Sequence, residues 1–341
     1  MCLESLPQRP IIQPMQTQVW LVNRLPWPTD WNAFFGREAP LLLEIGFGGG
    51  HFLVDLARKR PDANVLGIEI SNPSLRRTQD RLRKGGITNT RLLYGDARVL
   101  FWLLCAPTTV QEVYINFPDP WPKPSHYRRR LVSDAFLQLA ATRMPPGARL
   151  EIATDHPDYQ AWINEHLART PYFESTTGAV YVTRDDERPR TKYERQALDA
   201  GIPCHYYKFR RNHTPAPDIF PIPPELPMPN AIITTPLTLP QIQARFQPGE
   251  AAADSVHVRF IDAFMSARYP ALLVEAYISE EPLDQRVGLV LHQRAPGEVL
   301  VTLHEIGFPR TTAGIHAALR LLSEWVASLH PDAFIKQHNL A

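Results

Sequence analysis

The sequence predicts an α/β fold built on a mostly parallel sheet, followed by a smaller α+β region. Between residues 41 and 155, short apolar runs alternate with segments long enough to form helices. Glycines follow the first run directly, and the runs end close to carboxylate side chains. This alternation is typical of parallel strands joined by crossover helices, with a ligand site at the carboxyl ends of the strands.

Five apolar runs are predicted as parallel strands, at residues 41–45, 64–70, 90–94, 112–115 and 149–153. The segments 52–58 and 73–83 between them place apolar residues at helical spacing. Pro73 follows Ser71 in an arrangement with which many helices begin. We therefore expect a doubly wound sheet with helices on both faces.

The chain is predicted to divide into two folded regions. Residues 1–40 are expected to form an irregular lead-in, and residues 41–213 the α/β domain. Residues 214–240 hold nine prolines, from Pro215 to Pro240, which predicts an extended linker or a strap across the surface. The remainder, 241–341, is predicted as an antiparallel sheet covered by one helix, with strands at 256–263, 271–279, 286–293 and 299–306, a turn at 280–285 and a helix at 312–329.

The composition excludes several classes of protein. Hydrophobic residues make up 44% of the 341 residues, which is enough to bury a core. Cys2, Cys105 and Cys204 have no metal-ligand spacing, so neither a zinc site nor a disulfide framework is expected. No apolar run approaches the roughly 18 residues that a membrane span needs. We expect a cytoplasmic protein without a metal centre.

The charge is distributed unevenly along the chain. The net charge is +1, but residues 241–341 hold eight Lys and Arg against eleven Asp and Glu, giving −3 there and +4 in the first 240 residues. A nucleic-acid partner should therefore contact the first part of the chain. For the C-terminal region, self-association, a protein partner and simple stabilisation remain open.

A glycine-rich loop follows the first predicted strand. Glu44 is followed by Gly46, Gly48 and Gly50, which allow a tight turn and close approach of a ligand to the backbone. A dinucleotide fingerprint would need its last glycine where His51 stands, which argues against an NAD or FAD site. The chain instead fits a ligand with an amine and a ribose, such as S-adenosylmethionine.

Carboxylates close the five predicted strands. Any one of them alone is most simply a helix cap or a solvated loop acid, whereas the set is expected to face one crevice. Glu69 would accept hydrogen bonds from ribose hydroxyls, and Asp96 with Ala97 would border an adenine. The set consists of Glu44, Glu69, Asp96, Asp119 and Asp155.

Residues 116–130 combine prolines, aromatic residues and cations. Prolines alternate with other residues, so neither a helix nor a central strand is expected here, and the segment is predicted to be a stiff loop. A carboxylate, flat apolar surfaces and a cationic run within fifteen residues are suited to holding a nucleobase and its phosphates. A proline-braced surface loop followed by a solvated basic face is the alternative. The expected phosphate contacts are His126, Arg128, Arg129 and Arg130.

The sequence between residues 41 and 211 resembles the tRNA (guanine-N7-)-methyltransferase family of class I methyltransferases. Two motifs are close to family-specific: Asn-Phe-Pro-Asp-Pro-Trp-Pro-Lys at 116–123 and Thr-Lys-Tyr-Glu at 191–194. The Glu-Ile-Gly-Phe-Gly loop at 44–48 is shared with many methyltransferases. The sequence departs from the family's usual basic residues at Pro124 and Ser125.

The resemblance implies a Rossmann-like class I methyltransferase fold and assigns roles to several residues. The S-adenosylmethionine pocket would be lined by Glu44, Gly46, Glu69, Ile70, Asp96, Ala97, Asn116 and Asp119. Asp119 would also be the catalytic acid. The substrate would be bound by Lys123, Asp155, Thr191, Lys192, Tyr193 and Glu194.

The expected function is methyl transfer from S-adenosylmethionine to N7 of the variable-loop guanine in tRNA. One alternative is a class I methyltransferase acting on another RNA or on a small molecule. Another is a non-catalytic RNA-binding module on the same fold.

Overall fold

The computed structural model describes residues 19–21, 25–186, 188–253, 255–306 and 309–341. The chain separates into two compact units. The first unit holds the described residues up to Leu21 and from Pro28 to Phe220. The second holds Leu25 to Trp27 and the chain from Pro221 onward.

The first unit contains a mixed sheet flanked by helices. Its strands are β1 Val19–Leu21, β2 Leu41–Ile45, β3 Asn64–Glu69, β4 Thr90–Tyr94, β5 Val110–Asn116, β6 Arg149–Thr154, β7 Phe173–Ser175 and β8 His205–Arg211. Its helices are α1 Trp31–Phe35, α2 His51–Lys59, α3 Asn72–Lys84, α4 Ala97–Leu104, α5 Asp134–Arg143, α6 Pro157–Arg169 and α7 Lys192–Asp199. The five parallel strands predicted from the sequence all form, within two residues of the expected bounds.

The strand order is β1-β4-β3-β2-β5-β6-β8-β7. Strands β4, β3, β2, β5 and β6 run parallel, whereas β8 pairs antiparallel with both β6 and β7. From β2 the chain winds through β3 to β4 and then returns to β5 on the other side of β2. The topological switch point therefore lies between β2 and β5, where open α/β sheets bind ligands.

Apolar sequence explains why β2 lies at the centre of the sheet, with β3 beside it. All five residues of β2 are buried, as expected for a strand covered on both faces. Helix α2 packs through Phe52, Leu53 and Leu56. Gly67 in β3 allows this packing, since a β-carbon there would lie 2.6 Å from Phe47 and 2.7 Å from Leu53.

The proline-rich stretch begins as a strap on the first unit. Arg143 donates to the Phe220 carbonyl and pairs with Asp218 at 3.3 Å, while Gln138 donates to the Pro217 carbonyl at 2.9 Å. Further along, the stretch predicted as a linker contains a strand, β9 Asn230–Thr234. It is hard to see in the sequence because its apolar core is short and lies among prolines.

The second unit is an antiparallel sheet with a helix on one face, as the sequence predicts, but its described residues form seven strands where four were predicted and a second, short helix. Besides β9, its elements are α8 Leu239–Gln243, β10 Gly249–Ala253, β11 Val256–Met265, β12 Ala271–Glu280, β13 Leu283–Ala295, β14 Glu298–Leu303, α9 Ala313–Ser328 and β15 Phe334–His338. The strand order is β10-β11-β12-β13-β14-β9-β15, and α9 covers one face with Ile315, Leu319 and Leu322 in the core.

In the first unit, Gly50 at the start of α2 provides a test of the close packing between α2 and α3. It has φ +72°, and an added β-carbon would lie 2.4 Å from the Thr78 side chain on α3. Gly86 has φ +62° but open space around the same position. Both Gly→Ala variants incur the left-handed backbone cost of about 1–2 kcal/mol. Gly50→Ala should lower the free energy of unfolding by a further ~1–3 kcal/mol because it also overpacks. Urea unfolding of the two variants measures the difference, and equal losses would contradict the close α2–α3 contact.

Candidate cofactor and substrate site

The candidate site lies at the carboxyl ends of the central parallel strands. Glu44 is the fourth residue of β2, and Asn116 is the last residue of the adjacent strand β5. The Asn116 side chain donates from Nδ2 to Glu44 Oε1 at 2.9 Å. This hydrogen bond crosses the switch point of the sheet, so the two loops that leave β2 and β5 begin side by side.

A third residue, Arg188, completes the buried cluster. Its guanidinium donates to Asn116 Oδ1 and lies 5.2 Å from the Phe52 ring centroid and 5.1 Å from that of Tyr206. Arg188 is 8% exposed. The sequence gives no sign of this contact, because it joins residues that are 72 positions apart.

Glu44 is a deeply buried acid of the site. It is 1% exposed, and its Oε2 atom has no hydrogen-bond partner among the described residues. Burial raises the pKa of Glu44 from 4.5 to about 8, although the Asn116 hydrogen bond and the Arg188 charge act in the opposite direction. The nearby Glu69 carboxylate adds to the rise. A cationic group that reached Oε2 would favour the ionised carboxylate.

The glycine loop and Glu69 form the next part of the crevice. Gly46 has φ +70° and Gly48 has φ +51°, and a β-carbon at either would meet nothing within 4 Å. Glu69 fixes this loop, since its Oε2 accepts from the Gly48 amide at 2.8 Å. Its Oε1 accepts from the amides of Ile70 and Ser71, each at 2.9 Å. The backbone is therefore open to a ligand where the sequence predicts a cofactor.

Asp96 caps the helix that follows β4. It accepts from the Arg98 amide at 2.8 Å and pairs with the Arg98 guanidinium at 3.4 Å. Ala97 begins α4 and is partly exposed, and Ile70 is exposed beside the end of β3. An apolar residue and a capping acid at neighbouring strand ends suit an adenine ring and its amino group.

These residues fit S-adenosylmethionine by their donors and acceptors. The orphaned Glu44 oxygen suits its ammonium group. Glu69 Oε2 accepts only the Gly48 amide among the described residues and so keeps an acceptor position for a ribose hydroxyl. The Gly46 to Gly48 backbone leaves room for the chain between these two ends. The residues toward which an adenine would extend are Ile70, Asp96 and Ala97.

The proline-rich loop after β5 is strained at two aromatic residues. Phe117 has φ +50° and Trp121 has φ +43°, values that residues other than glycine rarely adopt. Arg129 places its guanidinium 4.9 Å from the Trp121 ring centroid, and His126 contacts the ring edge-on at 5.6 Å. The prediction that no helix forms here is wrong for Pro124–Arg129, which is a 3₁₀ helix, because proline is tolerated in the first turn.

Arg130 does not form part of an exposed cationic run, which corrects its expected role as a phosphate contact. It is 2% exposed and donates to the Pro120 carbonyl at 2.8 Å. Its guanidinium lies among the rings of Tyr127, Tyr159 and Trp162, at 3.9, 5.3 and 4.9 Å from their centroids. Arg130 therefore braces the loop from inside, whereas Arg128 and Arg129 are exposed.

Asp119 and Lys123 are exposed on the same loop. Within the described residues, the Asp119 carboxylate makes no hydrogen bond or ion pair, which leaves its oxygens available to a substrate. Asp155 follows β6 directly and is partly exposed. These acids leave neighbouring strands β5 and β6 at the same edge of the sheet, as the sequence predicts.

The Thr191 to Glu194 motif forms the start of α7. The Thr191 hydroxyl accepts from the Glu194 amide at 3.0 Å, and Glu194 Oε2 accepts from the Thr191 amide at 3.1 Å, which is a reciprocal capping box. The Tyr206 hydroxyl donates to Glu194 Oε1 at 2.9 Å. The polar atoms of Thr191 and Glu194 are therefore engaged within the protein, and the spacing Thr-x-x-Glu is itself a sequence sign of a helix cap. Tyr193 is 59% exposed, and Lys192 is the first residue of the helix.

The doubly wound sheet, the open glycine loop and the acid that closes the neighbouring strand define a class I methyltransferase, which uses S-adenosylmethionine. A family model described as "Putative methyltransferase" matches residues 38–206. The chain is 32% identical over 305 residues to the tRNA (guanine-N(7)-)-methyltransferase of Thermus thermophilus, covering 87% of this chain and 92% of the relative. It is 40% identical over 192 residues to that of Bordetella pertussis, covering 56% of this chain and 75% of the relative.

The chain belongs to the tRNA (guanine-N(7)-)-methyltransferase family. The resemblance inferred from its motifs is thereby confirmed. The Thermus alignment is longer than the chain up to Phe220, so it continues into the second unit.

Two further properties concern the described residues only. None of their helices is long and apolar enough to cross a membrane. No group of three or more His, Cys, Asp or Glu side chains among them could hold a metal ion.

Glu44 makes the stability of the ligand-free protein depend on pH. Between pH 4.5 and about 8 the folded protein keeps a proton that the unfolded chain has lost, so the free energy of unfolding falls as pH rises across this range. Glu44→Gln keeps an acceptor for Asn116 without a titrating group. The free energy of unfolding of the variant, relative to that of the parent protein, should therefore rise by about 2–4 kcal/mol as the pH is raised from 5 to 8.5. Urea unfolding at these pH values measures the gain, and parallel profiles for the two proteins would contradict it.

Proposed function

We propose that the protein transfers the methyl group of S-adenosylmethionine to N7 of the variable-loop guanine of tRNA. The observation that carries the proposal is the placement of Asp119. It is an exposed carboxylate only three residues beyond Asn116, on the loop that leaves the switch point of a methyltransferase sheet. Membership of the family supports tRNA as the substrate. A tRNA substrate also agrees with the cytoplasmic location predicted from the sequence.

The reaction needs alignment more than it needs a base. Guanine N7 carries a lone pair and no proton, and S-adenosylmethionine supplies a methyl group on a sulfonium centre. The residues of the chain therefore have to fix the guanine so that N7 lies in line with the transferred methyl group. They also have to tolerate positive charge, because the product base is a cation.

Asp119 is suited to both tasks. Its carboxylate can accept hydrogen bonds from the N1–H and N2–H₂ edge of guanine, which orients the base. The same negative charge favours the positive charge that develops on the imidazole ring. Adenine has no N1 proton and presents no such edge, so Asp119 also selects guanine.

Trp121 is suited to stacking on the base. Its ring is partly exposed, and one cation, Arg129, lies over it. Extruding a guanine from folded tRNA costs a few kcal/mol of stacking, which an aromatic ring can replace. When tRNA binds, Arg129 is free to leave the ring and contact a phosphate.

The phosphate-binding face of the loop then consists of Lys123, His126, Arg128 and Arg129. Contacts of this kind position the tRNA without reading its sequence, and they weaken as salt rises.

The proposal is tested with tRNA transcripts and labelled S-adenosylmethionine. One transcript keeps the variable-loop guanine, and a matched transcript has adenine at that position only. Labelled 7-methylguanosine should appear in digests of the first and not of the second. Equal labelling of both transcripts, or label in another nucleoside, would overturn the proposed target. Binding of S-adenosylmethionine without any methylation would favour the non-catalytic alternative.

Asp119→Asn tests the role of the carboxylate. The variant keeps a similar shape but loses the charge, so the methylation rate at saturating substrates should fall about 100-fold or more. Its affinity for S-adenosylmethionine should change far less. Asp80→Asn on α3 is the matched control, since Asp80 is exposed and, among the described residues, forms only a surface pair with Arg83. Near-parental rates for Asp119→Asn would remove the proposed role.

Arg128→Glu tests the phosphate contacts. Reversal of one exposed charge should weaken tRNA binding at all sequences and reduce the slope of log affinity against log salt by about one. Lys84→Glu is the control, because Lys84 is exposed at the far end of α3, away from the carboxyl ends of the strands. Filter binding between 50 and 300 mM salt is the measurement. An unchanged slope would show that Arg128 lies on a solvated face only.

A further inference from the structure

The segment before α7 is attached to the site by three separate contacts. Val182 forms a β-bridge with Tyr206, and the Asp185 carboxylate pairs with Lys208 at 2.9 Å. The third contact is that of Arg188 with Asn116. The first two attach the segment to β8, whereas the third reaches the end of β5 beside the cofactor crevice.

Two hydrogen bonds connect Arg188 to Glu44 through Asn116, and both are donated in the same direction. We call this chain of contacts the relay. Arg188 donates to Asn116 Oδ1, and Asn116 Nδ2 donates to Glu44 Oε1. An asparagine amide can occupy its site in two orientations. Only one of them allows both hydrogen bonds, because a guanidinium can only donate. Arg188 therefore sets which end of the Asn116 amide faces Glu44.

We propose that Arg188 is a positioning residue for the cofactor: through Asn116 it orients Glu44 as the acceptor for the ammonium group of the cofactor's amino-acid part. The inference rests on the proposed S-adenosylmethionine site. The Glu44 Oε2 atom is buried and has no partner among the described residues, so it is the acceptor that remains for such a donor.

The surroundings of Glu44 explain why a nearby positive charge is needed for its ionisation. The charged groups that act on it are Arg188, from the segment before α7, and Glu69, at the end of β3. Asn116 of β5 is the neutral partner. Burial raises the pKa of Glu44 to about 8, so near neutral pH the ligand-free protein holds a proton there. A cofactor ammonium that binds Glu44 displaces this proton into the buffer, and the Arg188 charge assists the ionisation.

The alternative is a purely structural role, in which Arg188 only packs between the Phe52 and Tyr206 rings. The two roles predict different results. A purely structural residue would affect every ligand of the pocket equally. The relay affects only ligands that carry the ammonium group. S-adenosylhomocysteine has this group, and 5′-methylthioadenosine shares the adenosine and sulfur but lacks it.

The experiment is calorimetric titration of the full chain with S-adenosylhomocysteine between pH 6 and 9, in buffers of different ionisation enthalpy. At pH 7 the parent protein should release close to one proton per bound ligand, and at pH 9 almost none. Arg188→Met keeps an apolar side chain between the two rings but removes the charge. It should weaken binding about ten-fold or more at pH 7 and shift the proton release to higher pH. Arg188→Lys restores the charge and should recover part of the affinity.

Two controls separate the relay from a loss of structure. Both Arg188 variants should bind 5′-methylthioadenosine as the parent does, without proton release. Arg190→Met should behave as the parent with both ligands, since Arg190 lies in the same segment but is half exposed, with a 3.7 Å pair to Asp186. In a Glu44→Gln background, Arg188→Met should no longer change the pH dependence of binding.

Three results would overturn the inference. One is equal loss of both ligands in Arg188→Met and Arg188→Lys, which would indicate a structural role. Another is binding of S-adenosylhomocysteine to the parent protein at pH 7 without proton release. The third is failure of the parent to bind S-adenosylhomocysteine at any pH, which would remove the proposed function as well.

Discussion

The hydrogen bond between Asn116 and Glu44 joins the two strands between which the winding of the sheet reverses. Both side chains are buried, so each needs a polar partner, and each meets that need through the other. The contact fixes the starting points of the glycine loop and the proline-rich loop relative to each other. In the proposed function, cofactor and substrate approach these two loops, so the geometry of methyl transfer would depend on this pair. Arg188 adds a third member from much later in the chain.

The proline-rich loop then carries the chain from the buried pair to the exposed substrate side within a few residues. Asn116 is buried, whereas Asp119 is in contact with solvent. Prolines at alternate positions restrict the backbone between them, and two left-handed aromatic residues make the turns that proline cannot. Arg130 secures the far end from inside, among three rings. The result is a carboxylate held on a stiff support.

Much of this could be predicted from the sequence because the signals are local. Apolar runs of four to seven residues predicted the parallel strands, and the acids at their ends predicted the crevice. What failed depended on contacts between distant residues. Arg130 continues a cationic run in the sequence, yet the rings that bury it come partly from α6. Arg188 lies in a segment of mixed charge, and its importance follows only from its contact with Asn116. Thr191 and Glu194 have the Thr-x-x-Glu spacing of a capping box, which is a local signal for the start of α7.

The antiparallel return of β8 has a consequence for the order in which the protein is made. Glu44, Asn116 and Arg188 are separated by 72 residues at each step, so the cluster closes two long loops. A nascent chain that has emerged as far as β6 already contains the glycine loop and the proline-rich loop, but no cation beside Glu44. With the proposed role of Arg188, full affinity for the ammonium group of the cofactor would be acquired late in synthesis, once β8 has inserted and the segment that carries Arg188 is attached to it.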